Sequence, residues 1–358
     1  MTNAYFLDTV PMQLKYLILG GLHAVLSTKL STACVENIFR NVKKLLFIKA
    51  PAKLRIKMAK SNIPEHSVNI AHRKSFSVVK ASGKEVLKYL QGQLTQDVKK
   101  LSESQALYSV ILNPQAKAIT ELYLLQGEAD EVVMICPQLQ AVRLVERLRQ
   151  FSLGYQLRVG VVSSWQVQSV QGEAADDFLL SNNLPVPDSS TLSVAKKNEV
   201  FVLRMPEAAN SGVWLIGSEL NLEANVEESD LIKLRVLKGV PTFGVDWDEN
   251  IHPLNANLIE RNGVSFDKGC YVGQEVTSRM QWRGGIKKKL YRVEVEAFPE
   301  ILPCPIQTTV NIGMLTSLAT NERGHHLGIA LLPIETVEAD KSLTLEGRQR
   351  VTVLGVCH

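Results

Sequence analysis

Beyond Arg283, every apolar run in this chain is of strand length. "LYRVEVEA", "TTVNIGMLTSLAT", "HHLGIALLP" and "SLTLEGRQRVTVLGV" are short runs separated by turn residues, and none sustains a helical period. Such a stretch must satisfy its strand edges on itself, so residues 285–358 are predicted to close into a small β-barrel. The boundary falls in "RGGIKKKL", residues 283–290, where two glycines and three lysines break the pattern.

Upstream, from Ser75, strand-length and helix-length patterns alternate, which predicts an α+β body. "FSVVKASG" reads as a strand entering a turn, and in "KEVLKYLQGQL" Val86, Leu87, Leu90 and Leu94 share one helix face. "ALYSVILNPQAKAITELYLLQG" reads as two strands about an Asn113-Pro114 turn, followed by the strand "EVVMICP" and the helix "LQAVRLVERLRQF". "LRVGVVSSWQVQSV" and "GVWLIG" add strands, "AADDFLLSNNLPVPDSSTLSV" a short helix and a loop, and "SDLIKLRVLKGVP" a last helix. No internal repeat, low-complexity tract or heptad pattern is evident.

Residues 1–72 read differently. Of the formal net charge of +4, the first 60 residues contribute +8, from ten Lys or Arg against Asp8 and Glu36, and the rest of the chain carries −4. The basic charge thus belongs to a leader, which argues against a body that binds nucleic acid. The longest apolar run of the leader, residues 16–26, is about half of the roughly 20 residues that span a bilayer, so no membrane anchor is expected. Lys29 and a long upstream segment disfavour a signal peptide. The basic apolar stretches fit an organelle presequence, whereas a disordered or superfluous leader with the true start at Met58 fits a bacterial cytoplasm. The second is preferred, with the mitochondrial matrix as the alternative. Cys34, Cys136, Cys270, Cys304 and Cys357 are odd in number and contain no C-x-x-C pair, so neither a disulfide framework nor a zinc knuckle follows, and a reducing compartment is expected.

The segment that concentrates chemistry is "FDKGCYVGQEV", residues 266–276. Gly269 and Gly273 permit a tight loop, and "QEVTSRMQW" reads as a helix with Gly273 near its N-cap. A thiol just ahead of a helix start and beside Lys268 sits in positive potential that favours the thiolate, making Cys270 a nucleophile or a soft metal ligand. The competing reading is a small residue filling a turn. Gln274 and Glu275 favour the helix start under either reading. Arg279 and Arg283, one helical turn apart, fit a dianionic ligand or a solvated face; Tyr271 and Trp282 fit stacking on a planar ring or ordinary core packing. His325 and His326 are adjacent on a strand and point to opposite faces, so they do not share a metal, and no metal-ligand set is expected. No G-x-G-x-x-G follows a strand, and neither a P-loop nor G-x-S-x-G occurs.

Together, "KGCYVGQE" (residues 268–275), "GVPTFGVD" (239–246) and "YLQGQLTQDV" (89–98) resemble the YgfZ family of folate-binding iron–sulfur proteins, relatives of the glycine cleavage T-protein. The resemblance runs from Ser75 to the C-terminus. It implies a folate-binding body over 73–284 built from two ferredoxin-like α+β parts, with the barrel at 285–358. It also implies an accessory role in assembly or repair of [4Fe–4S] clusters, in support of cluster-dependent enzymes including tRNA-modifying ones. In that reading Cys270 is the working residue, capable of transient contact with an iron–sulfur cluster, and Lys268, Gly269, Tyr271, Gly273, Gln274 and Glu275 complete its motif. Arg279, Arg283, Gln93 and Asp97 are the folate contacts expected for a tetrahydrofolate cofactor, and the partners are iron–sulfur proteins and assembly factors, with neither nucleic acid nor membrane bound directly. The T-protein motif resembles K-G-D-F-I-G-R-E, with an aspartate that handles proton chemistry where this chain has Cys270. Ordinary aminomethyl transfer is therefore not expected, although a tetrahydrofolate-dependent one-carbon transferase remains the alternative. Three positions depart from the family pattern: Ala116 where glycine is usual, Glu121 where aspartate is more frequent, and Asn255 where an acid is common.

Overall fold

The computed structural model describes residues 68–205, 212–220, 222–307, 312–339, 342–345 and 349–358. The expected leader lies outside them except at 68–72, and there the expectation needs correcting. Asn69–His72 is already a strand, β1, registered antiparallel on Gln168 to Gln171. The apolar pair Ile70 and Ala71, buried in that strand, starts the fold before Ser75. The described residues all belong to one compact unit.

The first half of the body runs β2 (Phe76–Ser82), α1 (Val86–Gln91), β3 (Leu107–Leu112), β4 (Ala118–Gln126), β5 (Glu131–Pro137), α2 (Ala141–Gln150) and β6 (Arg158–Val161). Its antiparallel sheet has the order β3-β4-β5-β2-β6. The second half runs β7 (Gln166–Gln171), α3 (Ala175–Ser181), β8 (Val194–Lys197), β9 (Val200–Arg204), β10 (Gly212–Gly217) and α4 (Glu228–Lys238), in a sheet ordered β1-β7-β10-β9-β8. The two halves share one topology: strand, helix, three-strand meander, helix, with an edge strand beside the first. The edge strand follows the helix in the first half (β6) and precedes everything in the second (β1). This duplication exists in topology and not in sequence, so residue patterning did not reveal it.

Strands of the first sheet are apolar on both faces because both are covered. In β3, Leu107 and Ile111 pack with Tyr89 and Leu90 of α1 and Leu144 and Leu148 of α2, whereas Tyr108, Val110 and Leu112 enter a core shared with the second sheet. Across that core Tyr123 meets Trp214 edge-on at 5.6 Å. Helix α1 starts at Val86 and buries Tyr89 in place of the expected Leu87, which is exposed; the Tyr89 hydroxyl donates to Leu148 O at 2.5 Å, tying α1 to α2.

The barrel is closed by six strands: β11 (Lys288–Val295), β12 (Cys304–Gln307), β13 (Ile312–Thr320), β14 (His326–Pro333), β15 (Leu343–Leu345) and β16 (Gln349–Val356), ordered β11-β14-β13-β12-β15-β16. Alternation sends Val293, Val295, Ala330 and Leu332 inward, while Leu290, Ile329 and Leu331 join the shared core of the body. A short helix, α6 (Ile334–Glu338), bridges β14 and β15. Among the described residues no helix is long and apolar enough to cross a membrane.

Candidate functional site

The segment between α4 and β11 has little regular structure, and it is fixed by polar anchors. Gly239 ends α4 in the left-handed conformation, φ 73°. Seven residues on, Asp246 is buried: it accepts from Arg235 Nη1 (2.6 Å), Thr242 N (2.9 Å), Thr316 Oγ1 (2.9 Å) and Ser317 Oγ (2.5 Å). The acid of "GVPTFGVD" therefore joins α4 to β13 of the barrel. Asn257, also buried, donates to Leu290 O (2.7 Å) and Cys357 O (2.8 Å) and accepts from Leu290 N (2.9 Å). Asn255 accepts from Lys288 N at 3.4 Å, so its carbonyl oxygen lies at the first barrel strand.

A second buried group centres on Glu121. Tyr108 donates to its Oε2 at 2.7 Å, Phe243 N to its Oε1 at 2.9 Å, and Arg261 approaches both Tyr108 (2.5 Å) and Glu121 (3.2 Å), with its guanidinium 4.0 Å from the Tyr108 ring centre. Burial works against the Arg261 charge, but Tyr108 and Glu121 outweigh it and hold the guanidinium protonated beyond its usual range. Arg261 and Tyr108 escaped the sequence reading because an arginine in "IERNG" looks like a loop residue and a tyrosine in a strand looks like core.

Two segments singled out from the sequence, 89–98 and 268–275, meet in space. Val272 N donates to Gly92 O (3.1 Å), Ser265 N to Thr95 O (3.0 Å), Thr95 Oγ1 to Gly263 O (2.6 Å) and Gln96 Nε2 to Asn262 O (2.5 Å). Lys268 is buried, 7% exposed, and its ammonium donates to Leu94 O at 2.7 Å and Gln96 O at 2.8 Å. That corrects its expected role: the charge is committed to backbone carbonyls of the neighbouring segment and is not aimed at the thiol. Burial pulls the Lys268 amine down to about 8, against the opposing pull of Asp97.

Helix α5 (Gln274–Arg279) starts at Gly273 as predicted. Gly273 has φ 85°, and a Cβ there would lie 3.0 Å from Asn113 O and 3.1 Å from the Leu112 side chain. The motif is thus seated on the β3–β4 turn. In that turn Ala116 takes φ 57°, the left-handed conformation that glycine adopts most readily, so the backbone shape is kept despite the alanine. By contrast, a Cβ on Gly269 would meet nothing within 4 Å. Tyr271 is core; burial pushes its phenol up to about 12, with Thr277 pulling the other way. Gln274 Oε1 accepts from Tyr271 N at 3.3 Å.

Cys270 is exposed, whereas Cys136, Cys304 and Cys357 are buried, and burial pushes the Cys136 and Cys357 thiols up to about 12. Of the expected folate contacts, Gln93 accepts from Arg147 Nη1 (3.1 Å), and Asp97 from Gln91 Nε2 (2.8 Å) and Lys99 N (3.2 Å). Burial opposes the Asp97 charge, yet those bonds and Lys268 hold its carboxyl below the usual range. Gln93 is thus engaged with α2, and Asp97 within its own segment. Arg279 pairs with Glu275 at 3.0 Å on the surface. The chain then widens into a π-helical turn, Met280–Gly284, so Arg279 and Arg283 do not stack as in an α-helix. Trp282, on that turn, is 70% exposed and meets Phe266 edge-on at 5.9 Å, so of its two readings ordinary core packing is the one that does not hold.

His325 and His326 make separate contacts, with Glu294 and Thr320. Among the described residues no group of three or more His, Cys, Asp or Glu is placed to hold a metal ion.

Comparison with known proteins gives a consistent set of neighbours. No family model matches the chain. It is 29% identical over 227 residues to the tRNA-modifying protein YgfZ of Hamiltonella defensa, covering 60% of this chain and 67% of that protein. It is 36% identical over 179 residues to the mitochondrial iron–sulfur cluster assembly factor IBA57 of Mus musculus, covering 47% of this chain and 49% of that one. In structure it is similar to the glycine cleavage system aminomethyltransferase T from Bartonella henselae, with a TM-score of 0.67 at 14% identity over 82% of this chain and 86% of that one, a likeness of fold.

Proposed function

From the premise that the chain belongs to the YgfZ family, we propose that it is a folate-dependent accessory factor in the assembly or repair of iron–sulfur clusters, with Cys270 as its working thiol. The relatives named as a tRNA-modifying protein and as an iron–sulfur cluster assembly factor support this reading. One observation carries the choice of residue: among the described cysteines Cys270 alone is exposed, on a loop anchored to its neighbours on both sides. An exposed thiol as its thiolate is a soft ligand for the iron of a [4Fe–4S] cargo or a nucleophile towards a sulfur of that cargo. No carboxylate stands at this position to manage the proton chemistry of aminomethyl transfer.

Tetrahydrofolate is the proposed cofactor, supplying a reduced pterin and an anionic glutamate tail. Arg279 and Arg283, both exposed, fit the carboxylates of that tail, although Arg279 must exchange its pairing with Glu275. Gln93 and Asp97 act by shaping the 89–98 segment, since their oxygens are already bonded internally. The proposed domain division is a folate-binding body that begins with β1 at Asn69 and runs to residue 284, and a barrel over 285–358. The cytoplasm of a bacterium is the proposed location, and the mitochondrial relative keeps the matrix as the alternative.

The test is complementation of a null strain by Cys270→Ser, read through the activity of a radical [4Fe–4S] enzyme. The expected result is loss of that activity with the circular dichroism and melting curve unchanged. Full complementation would make the thiol structural. Multiple-turnover transfer of a one-carbon unit from a methylene or methyl donor by the purified protein would instead establish the transferase alternative.

A further inference from the structure

The loop that carries Cys270 is tied to residues 92–96 at three places. Ser265 N reaches Thr95 O at one end, and Val272 N reaches Gly92 O at the other. Between them the tie is a side chain: Lys268 Nζ, donating to Leu94 O and Gln96 O. Gly269 and Cys270 are exposed, so Cys270 rides on a short span between the Lys268 and Val272 anchors. Gly269 gives the span no steric support, because the space where its Cβ would stand is open. Tyr271 turns back into the core, and the Lys268 ammonium lies 5.1 Å from its ring centre. The span therefore has one polar anchor before the thiol and one backbone anchor after it.

We infer that Lys268 is the positioning residue of Cys270: its ammonium fixes the loop against Leu94 and Gln96 so that the thiol projects into solvent. The inference rests on the reading of Cys270 as the working thiol, but it concerns loop geometry and can fail independently. A methionine at 268 keeps most of the stem and loses both donors; an alanine leaves a channel that n-propylammonium fits and refills with charge, and that 1-propanol fits without charge.

The experiment uses the full chain with Cys34→Ser, so that alkylation reports Cys270 while the other three thiols stay buried. In Lys268→Ala and Lys268→Met, hydrogen exchange at the Ser265 and Val272 amides is expected to accelerate at least tenfold. Amides of β3 and of the barrel should hold their rates. Cys270 alkylation by iodoacetamide is expected to slow at least threefold as the span settles onto the surface. In Lys268→Ala both effects should be reversed by n-propylammonium and not by 1-propanol. Unchanged exchange at Ser265 and Val272, unchanged alkylation, or equal rescue by the alcohol overturns the inference. Uniform acceleration throughout the protein in both variants overturns it as well, since Lys268 would then be a general packing residue. Normal complementation by Cys270→Ser would remove the functional reading and leave the exchange result standing.

Discussion

Gly269 and Gly273 look alike in "KGCYVGQE", and the structure separates them. Gly273 holds φ 85° with backbone 3.0 Å from where a Cβ would sit, and the nearest atom is a carbonyl oxygen of the β3–β4 turn that cannot rotate away. Gly273→Ala should therefore cost about 2–3 kcal/mol, the left-handed penalty of about 1–2 kcal/mol plus the displacement of Asn113. Urea unfolding at neutral pH checks this, and a loss below about 0.5 kcal/mol would show that the turn gives way easily. Gly269→Ala has open space and no left-handed backbone, so its stability should change by less than about 1 kcal/mol. If the space above Gly269 admits a ligand or cargo, the same variant loses complementation while its melting curve stays put. Sequence alone saw the motif and the exposure-dependent choice for Cys270, but not this difference. A glycine's φ and its neighbours depend on Leu112 and Asn113, more than 150 positions upstream, and no local pattern encodes them.

At the scale of elements, most strands, the β3–β4 turn, the last helix of the body and the closed barrel were legible, because burial on one or both faces leaves its period in the residues, whereas β1, β8, β9 and β12 were not read. What escaped was carried by single polar contacts. The helix α1 is an example: periodicity favoured Leu87, whereas the face that is buried centres on Tyr89, whose hydroxyl reaches Leu148 O. Burial raises the Tyr89 phenol to about 12, so the folded state holds that proton after the unfolded chain, with tyrosines near their ordinary value of about 10, has released it. Its contribution is complete below pH 10 and lost as pH rises through about 12, a swing on the order of 2 kcal/mol. Comparing Tyr89→Phe with the parent in urea from pH 8 to 12 isolates it from the other buried tyrosines. The parent should lead by about 1 kcal/mol at pH 8, from the hydrogen bond, and lose that lead as the pH passes 10. A constant gap across the range would mean that the Tyr89 proton is not held by burial. The family resemblance implied the two similar halves, but no repeat in the residues did, in part because β1 supplies the edge of the second sheet from before the first half begins, so equivalent elements are not in equivalent order along the chain.

For the whole molecule the question is what holds the barrel against the body, since the motif loop leads through α5 and the π-helical turn into β11. Apolar packing contributes Leu290, Ile329, Leu331 and Cys357 to the shared core, and two polar anchors add direction: Asn257 on β11 and the C-terminus, and Asp246 on β13. Asp246 faces Arg235, the two side chains being 0% and 9% exposed, so its removal strands a buried guanidinium and takes the acceptor from Thr316 and Ser317. Breaking a buried pair in this way costs about 3–5 kcal/mol, more than a surface ion pair contributes. The loss in Asp246→Ala should fall on the junction and not on the barrel, whose interior of Val293, Ile306, Leu315, Leu332 and Leu345 does not include Asp246. Limited proteolysis should accordingly open at residues 283–288 while a protected barrel fragment survives, and Arg235→Met with Asp246→Leu together should restore much of the stability by removing both charges. A single-residue Asp246→Ala variant within about 1 kcal/mol of the parent, or proteolysis that starts inside the barrel, would show that apolar packing alone sets the body–barrel geometry. The Cys270 loop would then owe its position to its ties with residues 92–96, with no contribution from the barrel that follows it.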